Sequence, residues 1–409
     1  MTRRVVVTGM GALSPLGMDW AEARETLLAR RSCIQFQPEW DTVEGLQSRL
    51  GAGIPNFSRP SHYSRKKTRT MGRVALLAAR ATELALEEAG LLENGKTTLP
   101  QIGVAYGSTS GSPPSIQKYA EQITVNKTLA GVSASEYVKF MSHTTAANLV
   151  HFFGMKGRLI PSCSACTSGS QAIGLAYESI KYGKQDVMAA GGAEELHILA
   201  ATVFDIMYAT STRNDQPQTT PRPFDRERDG LVVGEGAATL ILESLEHATR
   251  RGANILGEIV GFSTNCDGNH IVTPSQSGMR SVMELALKDA GLNAHDIGYV
   301  CAHGTATEVG DITESLATAE VFKRQVPISS LKSYMGHTLG ACGALESWVS
   351  LNMMREGWLA PTINLDEVDP RCAPLDYLTQ VREASPKYIM NNNFAFGGVN
   401  TSLILSCHI

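Results

Sequence analysis

The feature that most limits how this chain can fold is an internal echo. Residues 83–91 read E-L-A-L-E-E-A-G-L and residues 284–292 read E-L-A-L-K-D-A-G-L, matching at seven of nine positions across an offset of 201. Taken alone, such a stretch is an ordinary helix ending with glycine as its cap. The flanks repeat as well. Each copy is followed by a short apolar strand, I-G-V-A-Y-G-S-T-S-G from Ile102 and I-G-Y-V-C-A-H-G-T-A-T from Ile297. Each is preceded, further back, by another, Arg4–Thr8 and Glu258–Gly261. A helix that repeats together with its flanking strands favours duplication over coincidence. Within each half, helical spacing (V-A-L-L-A-A-R-A-T-E-L-A-L) alternates with buried strand patterns (Q-D-V-M-A-A-G-G). Alternating strands and helices predict an α/β layering around mostly parallel sheets. The expected units are residues 1–252 and 253–409, packed as one body with a site between them. Residues 211–230 carry no apolar period and read as a long polar loop of the kind that serves a site.

Few other classes survive the composition. A net charge of −4 offers no global attraction to nucleic acid or an anionic membrane. No stretch approaches the roughly 20 apolar residues that span a bilayer, and the N-terminus does not read as a secretory signal. The expectation is a cytoplasmic protein with no nucleic-acid or membrane partner. Eight cysteines are scattered at 33, 163, 166, 266, 301, 342, 372 and 407, which is not a disulfide framework for 409 residues. Cys163 and Cys166 form a C-x-x-C, a spacing used by zinc and redox sites, but no second ligand pair at zinc spacing accompanies it. No metal is expected.

The stretch S-C-S-A-C-T-S-G-S at 162–170 lies where a strand gives way to a helix with apolar positions 172, 173, 176 and 180. Cys166 therefore sits at or just before a helix N-terminus, where unpaired N–H groups and the dipole lower a thiol pKa. A strand-to-helix turn also exposes a nucleophile. A buried structural cysteine in a small-residue turn fits the local pattern equally well. His303 ends a strand in A-H-G-T-A-T, and His337 precedes an apolar helix in S-Y-M-G-H-T-L-G-A-C-G. By the echo, the helix after His337 corresponds to the helix after Cys166, so cysteine and histidine would face each other across the repeat. The segment N-N-N-F-A-F-G-G-V-N at 391–400 adds paired glycines that let backbone approach a ligand or simply make a tight turn.

Taken together, S-A-C-T-S-G, P-F-D-R-E-R-D-G-L-V-V-G-E-G-A, H-G-T-A-T-E-V-G-D-I-T-E, S-L-K-S-Y-M-G-H-T-L-G-A-C-G and F-A-F-G-G-V-N resemble the β-ketoacyl-acyl carrier protein synthases, elongating condensing enzymes of the thiolase-like superfamily. The resemblance covers essentially the whole chain. It implies a five-layered αβαβα fold from two duplicated halves. It also implies Cys166 as nucleophile, His303 and His337 as the histidine pair, and Lys332 and Glu314 as electrostatic support. Phe396 would be the gating aromatic, and Thr305 and Thr307 contacts for the pantetheine arm. Attack on an acyl thioester needs an oxyanion hole, and the N–H groups of Cys166 and Phe396 are the candidates. The implied reaction is a decarboxylative condensation of a malonyl carrier with the acyl group on Cys166. It needs no cofactor beyond the phosphopantetheine arm of an acyl carrier protein, the expected partner. A basic docking patch for that acidic carrier is expected at Lys66 and Arg69, joined by Arg213. The implied assembly is a homodimer, or a heterodimer with a chain-length-factor-like subunit in an aryl polyene or polyketide pathway. Two departures from the family pattern, Ala395 and Val399, bear on gating and chain length, and residues 107–114 are expected to line the acyl tunnel. A papain-like hydrolase, a biosynthetic thiolase and an inactive chain-length factor each fit worse. The first leaves His337 unexplained, the second needs a further terminal cysteine, and the third lacks a nucleophile.

Overall fold

The computed structural model describes residues 2–408. The N-terminal half supplies β1 (Val5–Leu13), α1 (Arg73–Glu88), β2 (Gly103–Gly107), β3 (Leu159–Ser162), α2 (Ser168–Lys181), β4 (Val187–Glu194), α3 (Ile198–Ile206) and β5 (Gly236–Ser244). The C-terminal half supplies β6 (Gly257–Cys266), α4 (Gln276–Ala290), β7 (Ile297–Cys301), α5 (Glu308–Phe322), β8 (Pro327–Ser329), α6 (Cys342–Glu356), β9 (Tyr388–Ala395) and β10 (Val399–Ser406). The hydrogen-bonded order is β8-β7-β9-β10-β6-β1-β5-β4-β2-β3, with a two-residue strand, Asp376–Tyr377, beyond β8. Read outward from the centre, the halves run β1-β5-β4-β2-β3 and β6-β10-β9-β7-β8, the same order twice.

The two halves join where β1 meets β6 antiparallel through Val5–Val7 and Gly257–Ile259. β2, β3 and β4 are mutually parallel neighbours, as are β7, β8 and β9. Helices α2 and α6 pack on each other and touch strands of both halves, so they form a middle layer. α1 covers the outer face of the N-terminal strands and α4 that of the C-terminal strands. The expected five layers follow directly.

The packing explains the echo. A Cβ on Gly9 of β1 would lie 2.1 Å from the Ala85 carbonyl oxygen and 2.8 Å from the Ala89 nitrogen of the adjoining helix and turn. A Cβ on Gly261 of β6 would meet the carbonyl oxygen of Ala286 at 2.7 Å and the nitrogen of Ala290 at 3.2 Å. Ala85 and Ala286, and Ala89 and Ala290, are themselves 201 residues apart. The repeated alanines are therefore the small faces that let each outer helix sit down on a glycine in the first strand of its half. α6 is the most enclosed helix, with Cys342–Met354 buried throughout. That burial hides Glu346 inside the protein, while the helix's other charged residues, Arg355 and Glu356, lie at its exposed end. The loop at 211–230 holds one short 3₁₀ turn, Pro217–Thr219, and is fixed by ion pairs, including Arg222 with Asp225 and Arg228 with Asp369, and by Phe224, which is buried in the core of the C-terminal half.

Candidate active site

The site is assembled at the C-terminal ends of the parallel strands of both halves. After β3 the chain turns sharply into α2, with Ala165 at φ +49°, a left-handed conformation that a non-glycine residue rarely adopts. The Thr167 hydroxyl donates to the Ser164 carbonyl at 2.7 Å, and the Ser168 hydroxyl to the Ala165 carbonyl at 2.7 Å. These bonds brace the turn that presents Cys166. The matching turn after β8 comes close because glycines face each other. A Cβ on Gly169 would lie 2.8 Å from the Gly340 carbonyl oxygen, and one on Gly192 would lie 2.4 Å from the same atom. Only a glycine-lined approach brings the two turns within side-chain reach.

At the meeting point, His337 Nε2 lies 3.0 Å from Cys166 Sγ. The Leu339 N–H donates to His337 Nδ1 at 3.1 Å, so the neutral ring carries its proton on Nε2 and donates it to the sulfur. The His303 ring stands nearly perpendicular to that of His337, centroids 5.1 Å apart. Glu314 fixes the strand end that carries His303 by accepting the N–H groups of His303 at 2.8 Å and Gly304 at 2.7 Å. Burial pushes the Glu314 carboxyl up to about 8, against the pull of those two N–H groups. Lys332 is buried, ion-paired with Glu346, and Glu346 also accepts from Asn393 Nδ2 at 2.7 Å. Desolvation disfavours the ammonium, but Glu346 keeps it above its usual range and therefore charged.

Cys166 lines two cavities. One, of about 420 Å³, is lined by His303, His337, Thr305, Thr307 and Phe396. The other, of about 240 Å³, lies between Thr109, Pro113, Leu199, Val203 and Leu339. Phe396 borders both and packs on Phe204, ring centroids 5.4 Å apart. Gly397 and Gly398, at φ +86° and +69°, carry the turn beside it, whereas the departures Ala395 and Val399 lie in β9 and β10 with no such demand. The aromatic thus stands between a chamber of mixed lining, the more polar of the two, and an apolar one, with the sulfur at the boundary. The rim of the larger chamber is apolar and exposed at Tyr208, Ile271 and Val309.

Electrostatics revise one expectation. The helix start was expected to hold the Cys166 thiol low. Burial instead pushes it up to about 11; Lys332 and the N–H groups of Cys166 and Phe396 pull the other way without prevailing. The resting group is therefore a thiol, with the anion's stabilisers already placed around it. Burial, reinforced by Lys332, pushes both imidazoles well below their ordinary range, and His337 adds to the effect on His303. Both rings are neutral near pH 7. The ligand-capable atoms of Cys166, His303 and His337 lie within 4.8 Å of one another, a donor set that a metal ion could use. The second shell opposes this at His337. Metal-bound histidines donate their other ring N–H to an acceptor, whereas His337 Nδ1 faces the Leu339 N–H, which leaves no lone pair on Nε2.

The structure brings together Cys166, His303, His337, Phe396, Thr305 and Thr307, with Lys332 and Glu314 immediately behind them. Thr305 and Thr307 share a hydrogen bond of 2.9 Å between their hydroxyls. The three residues of the expected docking patch differ in their surroundings. Lys66 and Arg69 are exposed, on and just after the short helix Arg65–Thr68, and line neither cavity. Arg213 is half-buried, donates to the Glu227 carbonyl at 2.7 Å and pairs with Asp229, so it is no free surface cation. Sequence reasoning assigned no role to Glu346, Asn393 or Arg228. Arg228 donates to the carbonyls of Thr307 at 3.3 Å and Glu308 at 2.9 Å and thereby sets the threonine turn. Nothing in G-A-L-E-S-W or M-N-N-N-F marks the carboxylate or the amide as enclosed until the surrounding helix and strand are placed. Cys163, the other cysteine of the C-x-x-C, directs its thiol to the Thr109 carbonyl at 3.3 Å. Among the described residues no helix is long and apolar enough to cross a membrane.

Comparison with known proteins agrees with this geometry. The family model for the N-terminal domain of beta-ketoacyl synthases matches residues 2–248, and that for the C-terminal domain matches residues 256–366. The chain is 39% identical to 3-oxoacyl-(acyl-carrier-protein) synthase 2 of Vibrio cholerae, with 98% of each covered. Among solved structures it is similar to a beta-ketoacyl synthase from Burkholderia phymatum, at 54% identity and a TM-score of 0.97, each chain covered in full. It is also similar to the ishigamide ketosynthase/chain length factor, at 31% identity and a TM-score of 0.91, again with full coverage of both.

Proposed function

The chain belongs to the β-ketoacyl synthase family, and from that premise we propose that it is a 3-oxoacyl-acyl carrier protein synthase, an acyltransferase that extends a carrier-bound acyl chain by condensation with a malonyl unit. The observation that carries this reading is the placement of Cys166 Sγ between an apolar and a polar chamber, 3.0 Å from His337 Nε2.

In the first half-reaction Cys166 attacks the thioester carbon of an acyl carrier. The bond to the carrier's thiol breaks, the acyl group moves to the cysteine, and the thiol proton leaves with the freed pantetheine. The N–H groups of Cys166 and Phe396 hold the oxyanion, and the same two groups and the Lys332 charge favour the thiolate as it forms. The acyl chain lies in the apolar chamber. A malonyl carrier then enters the polar chamber past Thr305 and Thr307. Its carboxylate leaves as carbon dioxide, and the electron pair passes to an enolate whose oxygen accepts hydrogen bonds from His303 and His337. Two neutral imidazoles suit this role because each can donate a proton without carrying a charge that would have to be desolvated. The enolate carbon attacks the acyl-cysteine, forming the carbon–carbon bond and expelling the Cys166 thiolate, which takes up a proton. Enclosure protects the acyl-enzyme from water. This chemistry calls on no cofactor other than the carrier's own arm.

The partner in this reading is an acyl carrier protein, and Lys66 and Arg69 are the free cations proposed to meet its acidic surface. A second subunit is also proposed, because Leu199 and Val203, which line the apolar chamber, stand exposed on α3. That subunit is either a copy of this chain or, in a polyene or polyketide pathway, a chain-length-factor-like protein. The likeness to a ketosynthase/chain length factor favours keeping this second arrangement in view. Incubation with acyl and malonyl carriers, followed by intact-protein mass spectrometry, tests the function. An acyl adduct on Cys166 that malonyl carrier discharges as a 3-oxoacyl product is expected. An adduct elsewhere, or simple hydrolysis, would overturn the reading.

A further inference from the structure

The last residue of β4, Glu194, is buried and takes no part in the chemistry above. Its Oε2 accepts three hydrogen bonds from two different segments. Thr109 donates its backbone N–H at 3.0 Å and its hydroxyl at 2.7 Å, and Gly340 donates its N–H at 3.1 Å. Its Oε1 is buried with no partner among the described residues. Thr109 lies on one wall of the apolar chamber, and Leu339, the neighbour of Gly340, lies on another. The next residue, Glu195, accepts from the Ser112 hydroxyl at 3.0 Å and so pins the other end of the Thr109 segment. Leu339, at φ +47°, is also the residue whose N–H holds His337 Nδ1. One carboxylate therefore ties the two walls of the chamber together, and one of those walls runs on into the turn that carries His337.

We propose that Glu194 is a positioning residue for acyl-chain length, its carboxylate clamping the Thr109 segment to the Leu339–Gly340 turn and so fixing the width of the apolar chamber beside Cys166. A cavity whose two walls are pinned to one buried carboxyl by three hydrogen bonds cannot widen for a longer chain without breaking one of them. Pocket width decides between chains that differ by a methylene or two. The clamp also holds the His337 turn at a fixed distance from the acyl group, so releasing it slows condensation as well as broadening loading.

The inference rests on the synthase reading, and the test separates the two. Wild type, Glu194→Gln and Thr109→Val are each offered a mixture of acyl carriers of graded length, and the adducts on Cys166 are weighed by intact-protein mass spectrometry. Glutamine keeps the size of the side chain but cannot ionise, and its NH₂ falls where Oε1 has no partner. Thr109→Val keeps the shape and the N–H bond and removes only the hydroxyl bond. In Glu194→Gln the preference between adjacent chain lengths is expected to shift toward the longer by roughly tenfold. Thr109→Val should shift it the same way by less. A merely structural role would lower the melting temperature and leave the length profile unmoved. If wild type neither loads nor condenses, the synthase reading fails. If wild type does both and the two variants keep its length profile, the clamp alone is overturned. Should Glu194→Gln not fold, Thr109→Val decides by the same criterion.

Discussion

The two halves of this molecule share one strand order, yet the same strand ends do different work. In the N-terminal half, the segment after β2 carries Thr109, the turn after β3 carries Cys166, and β4 ends on Glu194. In the proposed reaction these residues hold an acyl chain and a sulfur. In the C-terminal half, the segment after β7 carries His303, the turn after β8 leads to Lys332 and His337, and β9 is followed by Phe396. These residues hold donors, a buried charge and a gate. The duplicated scaffold brings six strand ends to one place, and the chemistry comes from what was not duplicated. In the reaction proposed above, one half keeps a group and the other stabilises charge as a carboxylate is lost.

Removing the sulfur tests that division most severely. Cys166→Ala should lower condensation at least ~10⁴-fold, since no nucleophile is left to carry the acyl group. Loss of carbon dioxide from malonyl carrier should persist, because the C-terminal half is intact. Release of labelled carbon dioxide, measured alongside 3-oxoacyl product, reads both. If the two fall together, the halves do not divide the reaction. The reciprocal change is His303→Ala. Decarboxylation is expected to fall about 10²- to 10³-fold, the usual cost of losing one donor to a developing oxyanion. Acyl loading, followed by the mass of the protein, should change by no more than about threefold, within the scatter of a lost second-line contact. Equal losses in both steps would place His303 in the acyl-transfer half as well.

A pH profile sharpens the contrast at smaller amplitude. The resting thiol stands near 11 because of burial, so the thiolate is scarce at neutral pH. The second-order rate of Cys166 alkylation by a small, uncharged reagent should therefore rise roughly hundredfold between about pH 7 and pH 9, without a plateau in that interval. Decarboxylation by the histidine side should show no imidazole titration over the same range, any inflection lying near 8, where Glu314 behind His303 ionises. Both imidazoles are held well below their ordinary value and lose no proton there. A plateau in the alkylation rate near neutrality would show that the surrounding donors outweigh desolvation.

Much of this was legible before any coordinates. The echo located the two halves because its alanines are constrained by contact with Gly9 and Gly261, and a steric requirement leaves a mark in sequence. Cys166, His303 and His337 were legible because each follows a strand and is flanked by the small residues that the turns need. The thiol's protonation was not legible. It depends on how deeply the turn is enclosed by α3, Phe396 and the second half, which local pattern does not report. The partners of Arg213 were hidden for a related reason. A cation in a polar loop reads as free, and only the fold shows Asp229 and the Glu227 carbonyl beside it. Glu194 and Glu346 were invisible as site residues because a carboxylate in sequence looks solvated until its helix or strand is known to be enclosed.

The Lys332–Glu346 pair gives the finest test, because it separates stability from reactivity within the C-terminal half. Lys332→Met strands Glu346 in the interior, and an unpaired buried charge costs about 3–5 kcal/mol. The same change removes the charge that pulls the Cys166 thiol down, so the thiol should rise further and alkylation at a fixed pH should slow by about tenfold, the size of one pKa unit. Lys332→Met combined with Glu346→Leu removes both charges. Stability measured by denaturant unfolding should recover most of the loss, because replacing a whole buried pair by apolar groups is often neutral. Thiol reactivity should not recover, since the pair's positive member acted on the sulfur from across the repeat. If the double variant regains wild-type alkylation, Glu346 and not Lys332 governs the cysteine. The C-terminal half would then reach the N-terminal one through packing, without a direct field.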